Sequence, residues 1–125
     1  MRSFKLFIGL FFCILLAFGS EVSAVTLKKA ISDDKPFIMM IYAEWSDYSD
    51  VYDNLKKLKP LYPQYNFVKV NVASEDAKYI FQDKRFIVSE MPMVIVAKKG
   101  GRINKAIPNA CANDIDCVAK ILKHF

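Results

Sequence analysis

Phe37-Ile38-Met39-Met40-Ile41-Tyr42 is an unbroken run of six apolar residues, and beyond it the chain turns polar at Glu44, Ser46, Asp47 and Ser49. Apolar side chains at every successive position leave neither face of a strand for water. The run is therefore expected to be a central strand covered on both sides. After Trp45, Val51, Leu55, Leu58 and Tyr62 recur at helical spacing and mark one apolar helix face. A buried strand thus feeds almost directly into a helix. Ser46, Asp47, Ser49 and Asp50 suit its start, where side-chain oxygens accept backbone N–H groups and acids meet the positive end of the dipole. Pro60 is expected to kink or end it, and Pro63 to prevent continuation.

The rest of the chain fits an α/β layout around that strand. Leu27, Ala30 and Ile31 imply a short leading helix that stops near Asp33-Asp34-Lys35-Pro36. Phe67 to Val72 alternates as a strand does, and its partner should be parallel because a helix intervenes. Ala77, Ile80 and Phe81, with Arg85-Phe86, form a second helical pattern opened by Ser74-Glu75-Asp76. Met93 to Ala97 and Arg102 to Ala106 flank Lys98-Lys99-Gly100-Gly101, a hairpin signal because glycine accepts the positive φ of a tight turn. Asn113 is a candidate cap for a last helix carrying Ile115, Val118, Ala119 and Leu122. The expected order is α-β-α-β-α-β-β-α, a central four-stranded mixed β-sheet flanked by helices, with no additional first strand.

Residues 1–24 stand apart. Arg2 and Lys5 precede an apolar run from Leu6 to Phe18, followed by Val22-Ser23-Ala24, the pattern of a secretory signal peptide. The run is too short to span a bilayer as a helix, and Leu10-Phe11-Phe12 before Cys13 lacks the small residue of a lipoprotein site. Residues 25–125 then form one exported domain with 16 basic and 12 acidic side chains. The excess is modest and lies in short pairs such as Lys28-Lys29 and Lys98-Lys99, so nothing points to a nucleic-acid module. Two cysteines, Cys111 and Cys117, remain in a chain bound for a disulfide-permissive compartment. They are expected to pair. The five residues between them are more than the two of a redox motif, which favours a structural tie over an exchanging bond.

Ala43-Glu44-Trp45-Ser46-Asp47-Tyr48-Ser49 after an apolar strand, with Glu90-Met91-Pro92 before another, resembles the thioredoxin superfamily. The resemblance covers residues 25–125 and implies the thioredoxin fold. It places Ser46 and Ser49 where that family carries its two redox cysteines, Asp47-Tyr48 where it has glycine-proline, Met40 where it has a buried acid, and Pro92 at a cis-proline. Thiolate attack and resolution both need sulfur, and a serine hydroxyl supplies neither step. Dithiol exchange is therefore not expected at Ser46-Asp47-Tyr48-Ser49.

What the resemblance leaves is recognition. In that family the cis-proline loop offers backbone groups to an extended peptide, a form of strand addition that needs no cysteine. Trp45, Tyr48, Met91 and Pro92 are the expected binding residues; Trp45 and Met91 either form an apolar lip around Pro92 or cap the core. A hydrolytic serine would need a base, and the only histidine is His124, on the last helix. Glu44, Asp47, Asp50 and Asp53 do not match a calcium loop, so neither metal nor cofactor is expected. The chain reads as an exported monomer that binds a protein or extended peptide, periplasmic because Lys123-His124-Phe125 is no retention signal, with secretion equally allowed. Two alternatives stand beside it: an oxidoreductase-related protein acting through Cys111 and Cys117, and an accessory subunit of an envelope complex that makes contact through the basic hairpin Lys98 to Arg102.

Overall fold

The computed structural model describes residues 24–33, 35–82 and 86–125. The expected signal peptide falls on residues outside these, apart from Ala24. Strand β2 (Phe37–Tyr42) is buried at all six positions. Its even residues, Ile38, Met40 and Tyr42, pack with Val51, Leu55, Leu58, Val118 and Leu122. Its odd residues, Phe37, Met39 and Ile41, pack on the opposite face with Leu27, Ala30, Ile80 and Phe86. Each such side chain contributes about 1.5–3 kcal/mol by leaving water, which is why an uninterrupted apolar run is stable only between two layers. No polar or charged residue is buried among the described residues.

The elements in order are β1 (Ala24–Val25), α1 (Leu27–Ser32), β2, α2 (Ser49–Leu58), β3 (Asn66–Asn71), α3 (Lys78–Phe81), β4 (Met93–Lys98), β5 (Ile103–Ile107), α4 (Asn109–Ala112) and α5 (Ile115–His124). The sheet order is β1-β3-β2-β4-β5. β2 and β3 run parallel, joined through α2, while β2–β4 and β4–β5 are antiparallel. The expected four-stranded mixed sheet is therefore present. β1 adds an edge that the sequence reading left out: Ala24 and Val25 pair in parallel with Phe67 and Val68. Two residues are too few to show an alternating pattern.

Several local expectations need correction. α2 begins at Ser49, within the expected stretch and with Asp50 in its first turn, but its N-cap is Tyr48, whose side chain makes no capping bond. Its end is as expected, since a 3₁₀ turn with Pro60 in its first positions follows Leu58. Phe81 is half exposed, and Phe86, beyond α3, is the aromatic that enters the core. Asp114, and not Asn113, caps α5, its carboxylate accepting from Asp116 N–H and Cys117 N–H. α1 is capped twice: Thr26 Oγ1 accepts from Lys29 N–H, and the Asp76 carboxylate accepts from Leu27 N–H at 2.7 Å and Lys28 N–H at 3.3 Å. An acid 49 residues along the chain thus meets the positive end of the helix and two of its orphan donors.

Candidate functional site

The antiparallel register that sets Ile41 opposite Met93 brings the exit of β2 and the entry of β4 to one end of the sheet. Residues 43–49 and the Met91-Pro92 peptide, which is cis, both emerge there. Topology alone juxtaposes two segments more than forty residues apart in sequence. Within the first segment, Ser46 folds back on Ala43: its hydroxyl donates to the Ala43 carbonyl at 2.7 Å and accepts from the Ala43 N–H at 3.2 Å, and its own N–H donates to the same carbonyl at 2.9 Å. This is a local turn lock of the kind serine makes in competition with helix capping. It explains why Ser46 caps nothing, and it keeps the hydroxyl engaged.

Asp47 and Ser49 are exposed, and the Tyr48 ring lies 4.4 Å from that of Tyr42, tilted by 44°. Tyr48 therefore belongs to the wall of the helical layer. Lys69 extends that wall, its ammonium 4.5 Å from the Tyr52 ring centre and 5.7 Å from that of Tyr42. Glu44 accepts from Asn71 Nδ2 at 2.9 Å. The sequence reading missed Asn71 and Lys69; the parallel register that sets Tyr42 beside Asn71 was the signal that finds them. Trp45 does not cap the core, for it is 80% exposed. Met91 is half-buried and Pro92 buried.

His124 cannot serve this end of the sheet. Its neighbour Phe125 accepts at its carbonyl from Lys98 Nζ at 2.6 Å, and Lys98 ends the strand that Met93 begins. Five residue steps of strand separate the two by about 17 Å, so no imidazole reaches Ser46 or Ser49. Near the C-terminal end of α2, burial holds the Lys59 ammonium below its ordinary pKa, and burial, with Tyr62, raises the Tyr65 phenol. Neither residue belongs to the site. Among the described residues no three His, Cys, Asp or Glu side chains converge as metal ligands, and no helix is long and apolar enough to cross a membrane.

Cys111 and Cys117 form a disulfide with Cα atoms 5.3 Å apart. Cys111 lies in α4 and joins the core with Val51 and Leu55, while Cys117 sits in the first turn of α5. Asn54 of α2 donates to the Ala112 carbonyl at 3.2 Å, so α4 is held to α2 as well. Replacing both cysteines by alanine is expected to lower the unfolding free energy by about 2 kcal/mol, the chain-entropy value for so short a loop. Urea titration at pH 7 measures it.

No protein-family model and no curated protein matches the sequence. Solved structures do. The chain is similar to thioredoxin O2 from Arabidopsis thaliana in its oxidised state, with 18% identity and a TM-score of 0.59 over 78% of this chain and 84% of that one. Mitochondrial thioredoxin 3 from Saccharomyces cerevisiae gives 22% and 0.58 over 85% and 99%. The Trx4 domain of ERdj5 gives 11% and 0.62 over 82% and 94%. At these identities the likeness shows the fold, and the fold is that of thioredoxin.

Proposed function

We propose that this chain is an exported thioredoxin-fold binding module without dithiol chemistry at its helix-tip site, and that it takes a protein or extended peptide on the surface formed by Trp45, Tyr48, Met91 and Pro92. In this reading Ser46 and Ser49 stand at the two cysteine positions of the fold's oxidoreductases. The two cysteines among the described residues, Cys111 and Cys117, are bound to each other. The observation that carries the reading is the exposure of Trp45, 80%, beside a serine whose hydroxyl is already satisfied. Tryptophan held in water at the end of a sheet where the cis Met91-Pro92 peptide also emerges is the kind of side chain that dominates binding energy when it is covered.

Trp45 is the only tryptophan in the chain, so it reports its own occupancy. Peptides selected from a random display library on the purified protein are expected to shift its emission to the blue, and Trp45→Ala or Met91→Glu to weaken them by about tenfold or more. Selected peptides that bind both variants as they bind the parent would place recognition elsewhere. A second reading, exchange through Cys111 and Cys117, draws on one observation: Cys117 is half-buried and lines an open cleft. Equilibration with glutathione decides it, a potential below about −300 mV marking a structural bond and one between about −270 and −120 mV an exchanging one.

A further inference from the structure

The charge of residues 25–125 is not evenly shared. Residues 25–97 carry ten basic and ten acidic side chains, whereas residues 98–125 carry six basic and two acidic. The entire cationic excess therefore sits on the β4–β5 hairpin and α5. One of those two acids, Asp114, is already committed to capping α5.

Among the described residues β5 is the outermost strand on its side of the sheet. Its first four residues, Ile103, Asn104, Lys105 and Ala106, are exposed, and only Ile107 is buried. Beside it, between the strand and α5, lies a cleft of about 280 Å³ lined by Lys105, Cys117, Lys120, Ile121, His124 and Phe125. Cys117, Lys120, Ile121 and His124 fall at i, i+3, i+4 and i+7, so a single stripe of the helix faces it. The floor is apolar (Ile121, Phe125 and the disulfide), and Phe125 is held in place by Lys98, whose ammonium bonds its carbonyl and stands 4.8 Å from its ring centre. Lys105, Lys120 and His124 supply the cleft's polar side chains, and no acidic side chain is among the lining residues. Among the described residues neither Lys105 nor Lys120 forms an ion pair.

We propose that the outer edge of β5 and this cleft dock an acidic, extended segment of a partner protein, added to the sheet as a further strand, with an apolar side chain on Ile121 and Phe125 and carboxylates at Lys105 and Lys120. An exposed edge offers unpaired N–H and C=O groups to any chain. A lone edge lysine would only discourage pairing. Set against Lys120 across an apolar cleft, it selects a strand that brings negative charge, because a neutral or basic one leaves the two lysines unpaired. The surface lies at the opposite end of β4 from Met93 and is independent of the Trp45 site.

The test uses the purified protein and a fluorescein-labelled octapeptide with glutamate and valine in successive pairs (Glu-Glu-Val-Val, twice), so that each face of the added strand carries both, read by anisotropy at 50 mM salt. Lys105→Glu with Lys120→Glu is expected to weaken binding by about tenfold or more, a change at exposed positions that leaves the fold intact by circular dichroism. Methylating the backbone nitrogens on one alternate set of residues is expected to abolish binding and on the other to spare it, because only every second amide of an added strand faces the sheet. Trp45→Ala is expected to change nothing, which separates this surface from the one proposed above. The inference is overturned if the octapeptide does not bind, if both methylated forms bind like the parent, if Trp45→Ala abolishes binding, or if phosphatidylglycerol vesicles capture the protein through the same two lysines and displace the peptide.

Discussion

Met40→Asp is expected to cost about 3–5 kcal/mol at pH 7, a large part of the roughly 5–15 kcal/mol that holds a domain of this size together. Met40 is fully buried and packs in the layer beneath the helix tip with Val51, Leu55 and Val94. A carboxylate there loses its water and gains no designed partner. Lys69, beside it in the parallel register, is the nearest cation by position, yet its ammonium stands over the Tyr42 and Tyr52 rings. Turning it inward trades those contacts for the ion pair. Burial raises the new carboxyl's pKa in the folded state above its unfolded value, so the folded state binds more protons. The penalty is therefore full above the folded pKa and shrinks as pH falls towards the unfolded one. Urea titrations of the parent and the variant at pH 7 and pH 4.5 read the difference directly. Met40→Leu, which keeps the volume apolar, is expected to cost less than about 1.5 kcal/mol at both. A loss below 1 kcal/mol for the aspartate would mean that the region under the helix tip is wet, and that an acid suits it as well as a thioether.

That result bears on function because proton transfer at a helix tip needs both a group to move the proton and a dry, polar environment to tune it. Met40 supplies neither. In the proposed reading, with a serine locked onto Ala43, the site offers contact energy: an exposed indole, a half-buried thioether and a ring tilted against Tyr42. The thioredoxin fold hosts such a surface as readily as a reactive one, since the fold fixes where segments meet and the side chains decide what happens there.

How far the sequence led follows from the range of each interaction. β2 was legible because burial on both faces writes itself into every residue, and α2 because Val51, Leu55 and Leu58 repeat with the helix. The hairpin was legible in Gly100 and Gly101. The helix starts were read less well. Ser46 and Asn113 are good capping residues by type, but Ser46 had a closer backbone partner in Ala43, and Asp114, one residue on from Asn113, reached the free N–H groups of α5. Asp76 as a cap for α1 was beyond sequence reasoning, for the two are 49 residues apart. Phe81 and Phe86 were confused because a helical pattern reads past the end of a four-residue helix, and the core took the aromatic that the following loop delivered.

Gly101→Ala is expected to destabilise the protein by about 2–4 kcal/mol, combining the cost of a left-handed backbone for an L-residue with that of overpacking. The hairpin turn holds Lys99, Gly100 and Gly101 at φ values of 56°, 67° and 90°, and the third of these lies furthest from what a side chain tolerates. Space is short as well. A Cβ on Gly101 would stand 2.7 Å from the tip of the Phe86 ring, which is buried and meets Phe37 edge-on at a centroid distance of 6.4 Å. Phe86 cannot retreat without disturbing Phe37, itself fully buried at the start of the central strand. Gly100→Ala in the same turn provides the control: it carries the backbone cost without that ring in its path, and is expected to lose about 1 kcal/mol. Thermal and urea unfolding of the two variants separate the terms, and Gly101→Ala with Phe86→Leu is expected to recover part of the loss by removing the ring from the path of the new methyl. If the two single variants were equally stable, the contact between the turn and Phe86 would carry no energy, and the hairpin would be fixed to the core by its strands alone.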